Sequence, residues 1–353
     1  MRPRETSERR YAILAEGWFA NRHAKTAHGL IAYGRDEVVA VIDSTLADGT
    51  RRVLDVLPSL RRDAPIVGTL REALEYSPTS LLVGLAPAGG RLPGEWMQAL
   101  REAAEAGLEI VSGLHQRLAP ELPGAMVWDV REPPDEVPLF SGEGFGVVPK
   151  VALTVGTNSA IGKMTATLEI ERAARKKGLA AEFVATDQTG INIAGWGICV
   201  DAVVSDFAAG AAEQLVLGAA AASPGPDLIL VEGQGSLGHP AYSGVTMALL
   251  HGSCPDCLIL CADASNERVF AGVPRPEVEH VARLYEEVAA LVKPAPVIAV
   301  SVNTQGLDED AVRGFVDRVA AVTGLPAADP VRHSADPILE AVSRAPKTVA
   351  NGS

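Results

Sequence analysis

Short apolar runs set apart by helical or turn-rich stretches organise this chain. Tyr11–Leu14, Val38–Ile42, Ile66–Val67, Leu81–Val83 and Ile110–Val111 alternate with helix-capable segments over 24–33 and 96–106. Runs that are continuously apolar suit strands covered on both faces, and strands alternating with helices predict a parallel sheet. The first part of the chain therefore reads as Rossmann-like. Asp43 ends its strand where a ribose could be held, yet no GxGxxG follows the first strand, so no bound dinucleotide is expected.

A stretch rich in Pro and Gly, Arg131–Pro138 followed by Ser141–Gly144, precedes a new apolar strand at 151–155. It places a boundary between an N-terminal domain, 1–147, and a C-terminal domain, 148–353. The second half alternates again: strands at 151–155, 181–185, 227–231, 257–261 and 296–301, and helices from about 162, near 207–221, at 276–292 and at 309–323. The expected fold is α/β, a Rossmann-like domain followed by a P-loop NTPase-like doubly wound domain.

Composition narrows the function. The chain has 353 residues, 47% of them hydrophobic and 21% charged, with a formal net charge of −13. That field repels phosphate and disfavours non-specific binding to nucleic acid or an anionic membrane, so a phosphate site must be built locally. The charged N-terminus lacks the apolar core of a signal peptide, no run reaches membrane-spanning length, and four cysteines make no disulfide framework. A cytoplasmic enzyme is expected. Cys254 and Cys257 have redox or zinc spacing, but no second pair completes a metal site.

The strand at 151–155 runs into Gly156, Thr157, Asn158, Ser159, Ala160, Ile161, Gly162, Lys163, Met164 and Thr165, and then into an uninterrupted helix. A glycine-rich turn exposes backbone N–H groups, the helix N-terminus adds its dipole, and Lys163 supplies a point charge, so the segment is a P-loop for a phosphate-bearing ligand. Thr157 replaces the first expected glycine, and Met164 stands where a Ser or Thr would hold Mg²⁺, a task left to Thr165. Gly156-Thr157-Asn158 is also similar to the Gly-Thr-Asp loop of dethiobiotin synthetase.

Glu232 ends the strand 227–231 before a Gly-Gln-Gly-Ser turn, at the edge where open α/β sheets place ligands; it is the candidate acid/base or, with Thr165, a metal ligand. His239, able to pass protons near neutral pH, and Lys163 complete the catalytic candidates. Gln234, Ser236, Tyr242 and Ser243 crowd the same stretch, and Asp187, Gln188 and Thr189 follow another strand; with Arg131, which could meet a substrate carboxylate together with Lys25, these are the substrate-binding candidates. Asn303, at a strand end, is a candidate reader of the cofactor's base. Loops 84–91 and 112–115 follow strands, as ligand-contacting loops do.

Taken in order, 10–17, 24–27, 40–43, 112–115, 129–131, 162–165, 188–190, 232–236 and 250–253 resemble the family catalogued as domain of unknown function 1611, some members of which are D-glutamate N-acetyltransferases. The resemblance implies a Rossmann-like N-terminal domain, a P-loop C-terminal domain and a homo-oligomer. The chain departs from that pattern at Asn158, Asp187 and Ala262. The leading expectation is an acetyl-CoA-dependent N-acetyltransferase of an amino acid, D-glutamate or a related acidic one, with the P-loop gripping the cofactor's phosphates. The alternatives are an ATP- and Mg²⁺-dependent kinase or ligase, and a non-catalytic nucleotide-binding protein.

Overall fold

The apolar runs become two six-stranded sheets. The computed structural model describes residues 9–85, 90–264, 268–269 and 272–350, so part of the 84–91 loop lies outside the described residues. The chain forms two compact units, residues 1–134 with 187–202, and 135–186 with 203–353.

In the first unit, β1 (Arg10–Leu14), β2 (Glu37–Ile42), β3 (Ile66–Val67), β4 (Ser80–Val83), β5 (Glu109–Ser112) and β6 (Val127–Asp129) pair in the order β3-β2-β1-β4-β5-β6, every pairing parallel. This is the Rossmann-like order, with its reversal at β1 and β4. Helices α1 (Lys25–Tyr33), α2 (Val53–Val56), α3 (Leu70–Leu74) and α4 (Met97–Glu105) make the crossovers. Asp43, fully buried, accepts hydrogen bonds from the N–H groups of Gly17 and Phe19, both at 3.0 Å, so it ties the turn after β1 instead of facing outward to a ribose.

The second unit orders its strands β12-β11-β10-β7-β9-β8, again all parallel: β7 (Lys150–Gly156), β8 (Ala181–Val184), β9 (Leu228–Val231), β10 (Cys257–Asp263), β11 (Val297–Asn303) and β12 (Ala327–Ala328). Helix α5 (Lys163–Lys176) follows β7, and α6 (Gln188–Ala194) belongs to the first unit although it lies between strands of the second. Then come α7 (Ser205–Ala220), α8 (Ser243–Gly252), α9 (Val278–Ala289), α10 (Glu309–Thr323) and α11 (Asp336–Arg344). Ile170 of α5 and Ile338, Leu339 and Val342 of α11 pack with Leu228, Leu230 and Ile259 into one apolar cluster. Among the described residues, no helix is long and apolar enough to cross a membrane.

The edge of this sheet opposite the P-loop is closed by a buried ion pair. Lys293 Nζ lies 2.8 Å from Asp256 Oδ1, and the carboxylate also accepts the N–H groups of Val151, at 2.9 Å, and Thr348, at 3.1 Å. Both side chains are almost wholly shielded, so removing the cation strands a charge. Lys293→Met is expected to lower stability by about 3–5 kcal/mol, read as a displaced urea midpoint. Neighbouring Cys254 and Cys257 are buried, and burial pushes each thiol up to about 12, which leaves them neutral and inert.

Candidate functional site

The P-loop sits at the C-terminal end of central strand β7, with β9 on one side and β10 on the other. Gly162 has φ +104°, a backbone that a side chain would strain, and it turns the loop into the first residue of α5. Lys163 is 6% exposed, and its Nζ donates to the carbonyl of Asn158 at 2.7 Å, across the loop it is meant to serve. Burial lowers its pKa to about 8, against the pull of Cys261, Glu232 and Asp263. Asn158 turns its own oxygen to the N–H of Ser159, at 2.7 Å.

Two buried hydroxyls here have no hydrogen-bond partner among the described residues: Thr157 Oγ1 and Ser236 Oγ, each 1% exposed. Leaving such groups dry costs about 1–3 kcal/mol each, which a ligand's phosphate oxygens would offset. Tyr285, fully buried on α9, joins the two segments that carry them. Its hydroxyl donates to the carbonyl of Gly156 at 3.0 Å and accepts the N–H groups of Gly156, at 3.4 Å, and Leu237, at 3.2 Å. Nothing in the sequence pattern sets Tyr285 apart, because it lies on the buried stripe of an amphipathic helix.

Glu232 follows β9 and is 2% exposed. Its Oε2 accepts the N–H of Thr186 at 3.1 Å, and its carbonyl accepts the Thr186 hydroxyl at 2.9 Å. The next residue, Gly233, approaches β7 so closely that a Cβ would stand 1.7 Å from the carbonyl oxygen of Thr154 and 3.4 Å from Lys163 Cδ. Gly233→Ala must therefore push the 232–237 loop off the P-loop, and a loss of about tenfold or more in phosphate-ligand affinity is expected by calorimetry, about 1.4 kcal/mol. Gly244→Ala, where a Cβ meets nothing within 4 Å, is the silent control.

His239 is buried, and its ring stacks on Tyr242 with centroids 4.6 Å apart. Its Nδ1 accepts the N–H of Ala241 at 3.2 Å, so the ring proton sits on Nε2. Burial, helped by the charge of Lys163, lowers its pKa and keeps the ring neutral. Gln234 donates to the carbonyl of Thr186 at 2.6 Å, while Tyr242 is half-exposed and Ser243 opens α8. Asn303 donates to the carbonyl of Ile161 at 3.2 Å and accepts from Gln305, so it props the P-loop and its polar atoms are not turned out to a base. Thr165, half-buried in the first turn of α5, and Glu232 are the candidate metal ligands if Mg²⁺ binds here.

The remaining substrate candidates gather in the first unit. Arg131 donates to Gln188 Oε1 and to Asp201 Oδ2, both at 2.6 Å. Asp187 caps α6 by accepting the N–H of Gln188, and the Thr189 hydroxyl lies 3.2 Å from that of Thr26 on α1. Lys25 is exposed and acts on Asp187 through its charge.

Comparison with known proteins fits this geometry. Residues 138–339 match a family model described as the DUF1611_C P-loop domain, and residues 48–133 one described as the DUF1611_N Rossmann-like domain, both domains of unknown function. A protein of Tritonibacter scottomollicae named D-glutamate N-acetyltransferase is 37% identical over 290 residues, 78% of this chain and 84% of that protein. A Pseudoalteromonas protein of the same name is 34% identical over 282 residues, 76% and 82% of the two chains. The crystal structure of a DUF1611 family protein from Anabaena variabilis superposes with a TM-score of 0.88 at 39% identity, covering 95% of this chain and 99% of that one.

Proposed function

The chain belongs to the DUF1611 family, and from that premise we propose that it is an acetyl-CoA-dependent N-acetyltransferase of an acidic amino acid, D-glutamate being the acceptor for which its curated relatives are named. The observation that carries the reading is the P-loop's unmet demand for an anion: a buried lysine turned onto its own loop carbonyl beside the unpartnered hydroxyls of Thr157 and Ser236. A pyrophosphate-bearing ligand supplies acceptors for all three, and the N-terminus of α5 adds its dipole. Met164, in the position after the lysine, offers no oxygen for Mg²⁺, which favours gripping phosphates over cleaving them.

Acetyl-CoA supplies an acyl thioester open to attack by an amine. Glu232, an acid held at the sheet edge, takes the proton that the acceptor's ammonium must lose before its nitrogen can replace sulfur. Neutral His239, whose Nδ1 is already engaged, presents Nε2–H as a hydrogen-bond donor to charge developing on the acyl oxygen, and is the poorer base. The products are the N-acetyl amino acid and a free thiol.

The test is thiol release from acetyl-CoA with D-glutamate, run with EDTA and, separately, with ATP and Mg²⁺. Release that depends on D-glutamate and survives EDTA supports the reading. No release, together with Mg²⁺-dependent consumption of ATP, sinks it in favour of a kinase or ligase.

A further inference from the structure

One buried titratable group takes no part in proton transfer, although it touches both loops that frame the phosphate site. Tyr285 lies on α9 in a buried stripe with Val281 and Ala289, at four-residue spacing. Burial raises its pKa, so the phenol stays neutral and its O–H remains a donor. A phenol offers one donor and two acceptor lone pairs. The donor goes to the carbonyl of Gly156 at 3.0 Å, and the lone pairs take the N–H groups of Leu237, at 3.2 Å, and Gly156, at 3.4 Å. With its capacity used in this way, the hydroxyl acts on a ligand only through the segments it holds.

Those segments carry the two groups that await a ligand. Thr157 follows Gly156, and Ser236 precedes Leu237. Both hydroxyls are buried and without a partner among the described residues. The loop of Ser236 has other ties: the Gly233 N–H donates to the Thr154 hydroxyl of β7 at 2.9 Å, and the Thr246 hydroxyl donates to the carbonyl of Gln234 at 2.8 Å. Both come before Gly235, where a φ of +57° turns the chain. Beyond that turn, the Tyr285 oxygen links Leu237 back to the P-loop. The helix that supplies this oxygen is fastened by other means. Glu286 accepts the N–H of Val297 at 2.8 Å, and the carbonyl of Val288 lies 3.1 Å from His251 Nε2, so α9 keeps its seat without the hydroxyl.

We propose that Tyr285 is a positioning residue of the phosphate site: through Gly156 and Leu237 it holds the hydroxyls of Thr157 and Ser236 at the spacing at which one ligand meets both. The assignment rests on the reading of the P-loop as a phosphate site and does not require that the ligand be an acetyl donor. Its consequence is coupling, because a hydroxyl that reaches the ligand only where the tyrosine places it contributes nothing once the tyrosine is changed.

A double-mutant cycle on the full chain reads that coupling, with acetyl-CoA and ATP plus Mg²⁺ titrated separately by calorimetry. Ser236→Ala is expected to weaken the ligand about tenfold or more, since it removes a hydrogen bond to a charged group. Tyr285→Phe should weaken it by a similar factor, about tenfold, and in that background Ser236→Ala should cost less than about threefold. A tyrosine that serves only the core would lower the urea midpoint and leave both ligand affinity and the Ser236 effect unchanged; that result, or losses that simply add in the double variant, overturns the proposal. An ester in place of the 237 amide deletes only the N–H that meets the phenol, and it should weaken the ligand and blunt Ser236→Ala in the same way, which serves if Tyr285→Phe does not fold. Coupling seen with ATP, and no binding of acetyl-CoA, would uphold Tyr285 and sink the transferase reading. Binding of neither ligand overturns both.

Discussion

Lys163→Ala is expected to weaken acetyl-CoA binding by a factor of about 30 to several thousand, the loss of about 2–5 kcal/mol that follows when one member of a buried charge pair is truncated. In the free protein the ammonium is shielded and its charge is met by a backbone carbonyl 2.7 Å away, which is poor compensation. Burial accordingly lowers its pKa from 10.5 to about 8. Phosphate favours the charged form, so the bound protein holds its proton to higher pH than the free one. Below pH 8 the lysine is already charged and affinity is flat. Above it, binding must take up a proton, and affinity should fall about tenfold per pH unit until the bound lysine titrates as well. The ligand-free protein should respond with the opposite sign. Between pH 8 and 10.5 the unfolded chain binds more protons at this residue than the folded one, so this lysine makes the free protein more stable as pH rises. Calorimetry in buffers of different ionisation enthalpy reads the proton uptake directly; a pH-independent affinity up to 10 would show that Lys163 does not meet the ligand's charge.

How far the sequence reveals such a site depends on whether its parts are neighbours in the chain. The P-loop is legible because strand, glycine turn, lysine and helix follow one another from Lys150 to Lys176, each signalled by its own pattern. The two parallel sheets are legible for the same reason: their strands are continuous apolar runs. Tyr285 is invisible to that reading. It meets Gly156 across 129 positions, and an aromatic residue on an amphipathic helix is ordinarily core. Helix α6 is hidden by a different cause. All seven of its residues are buried, Gln188, Thr189 and Asn192 among them, so it shows no polar face and no 3.6-residue alternation. Its place in the first unit follows from contacts such as Arg131 to Gln188, 57 positions apart, which no local pattern encodes. Asn303 stands at a strand end as expected, but its use as a prop for Ile161 depends on how close β11 runs to the loop after β7.

Glu232→Gln is expected to lower kcat for acetyl transfer by about 10²–10⁴, the range over which a positioned proton acceptor contributes. The substitution preserves the hydrogen bonds from residue 232 to Thr186 and Val184. Glutamine keeps an oxygen to accept the Thr186 N–H, and the main-chain bonds from residue 232 to Val184 and from the Thr186 hydroxyl do not involve the side chain. A glutamate whose only task is to fasten the end of β8 to the end of β9 would therefore tolerate the change with little loss of rate. What glutamine cannot do is take a proton, nor can it support the charge of Lys163, on which Glu232 acts electrostatically. Losing that support should move the pH above which acetyl-CoA affinity declines to a lower value, while affinity below it stays within about threefold. His239→Gln is the comparison. With the ring neutral and its Nδ1 engaged by Ala241, the loss there should appear as a moderate fall in kcat, smaller than that of Glu232→Gln. Steady-state rates for both variants decide the assignment: if His239→Gln loses the larger factor in kcat and Glu232→Gln only a moderate one, the proton goes to the histidine and the roles are reversed.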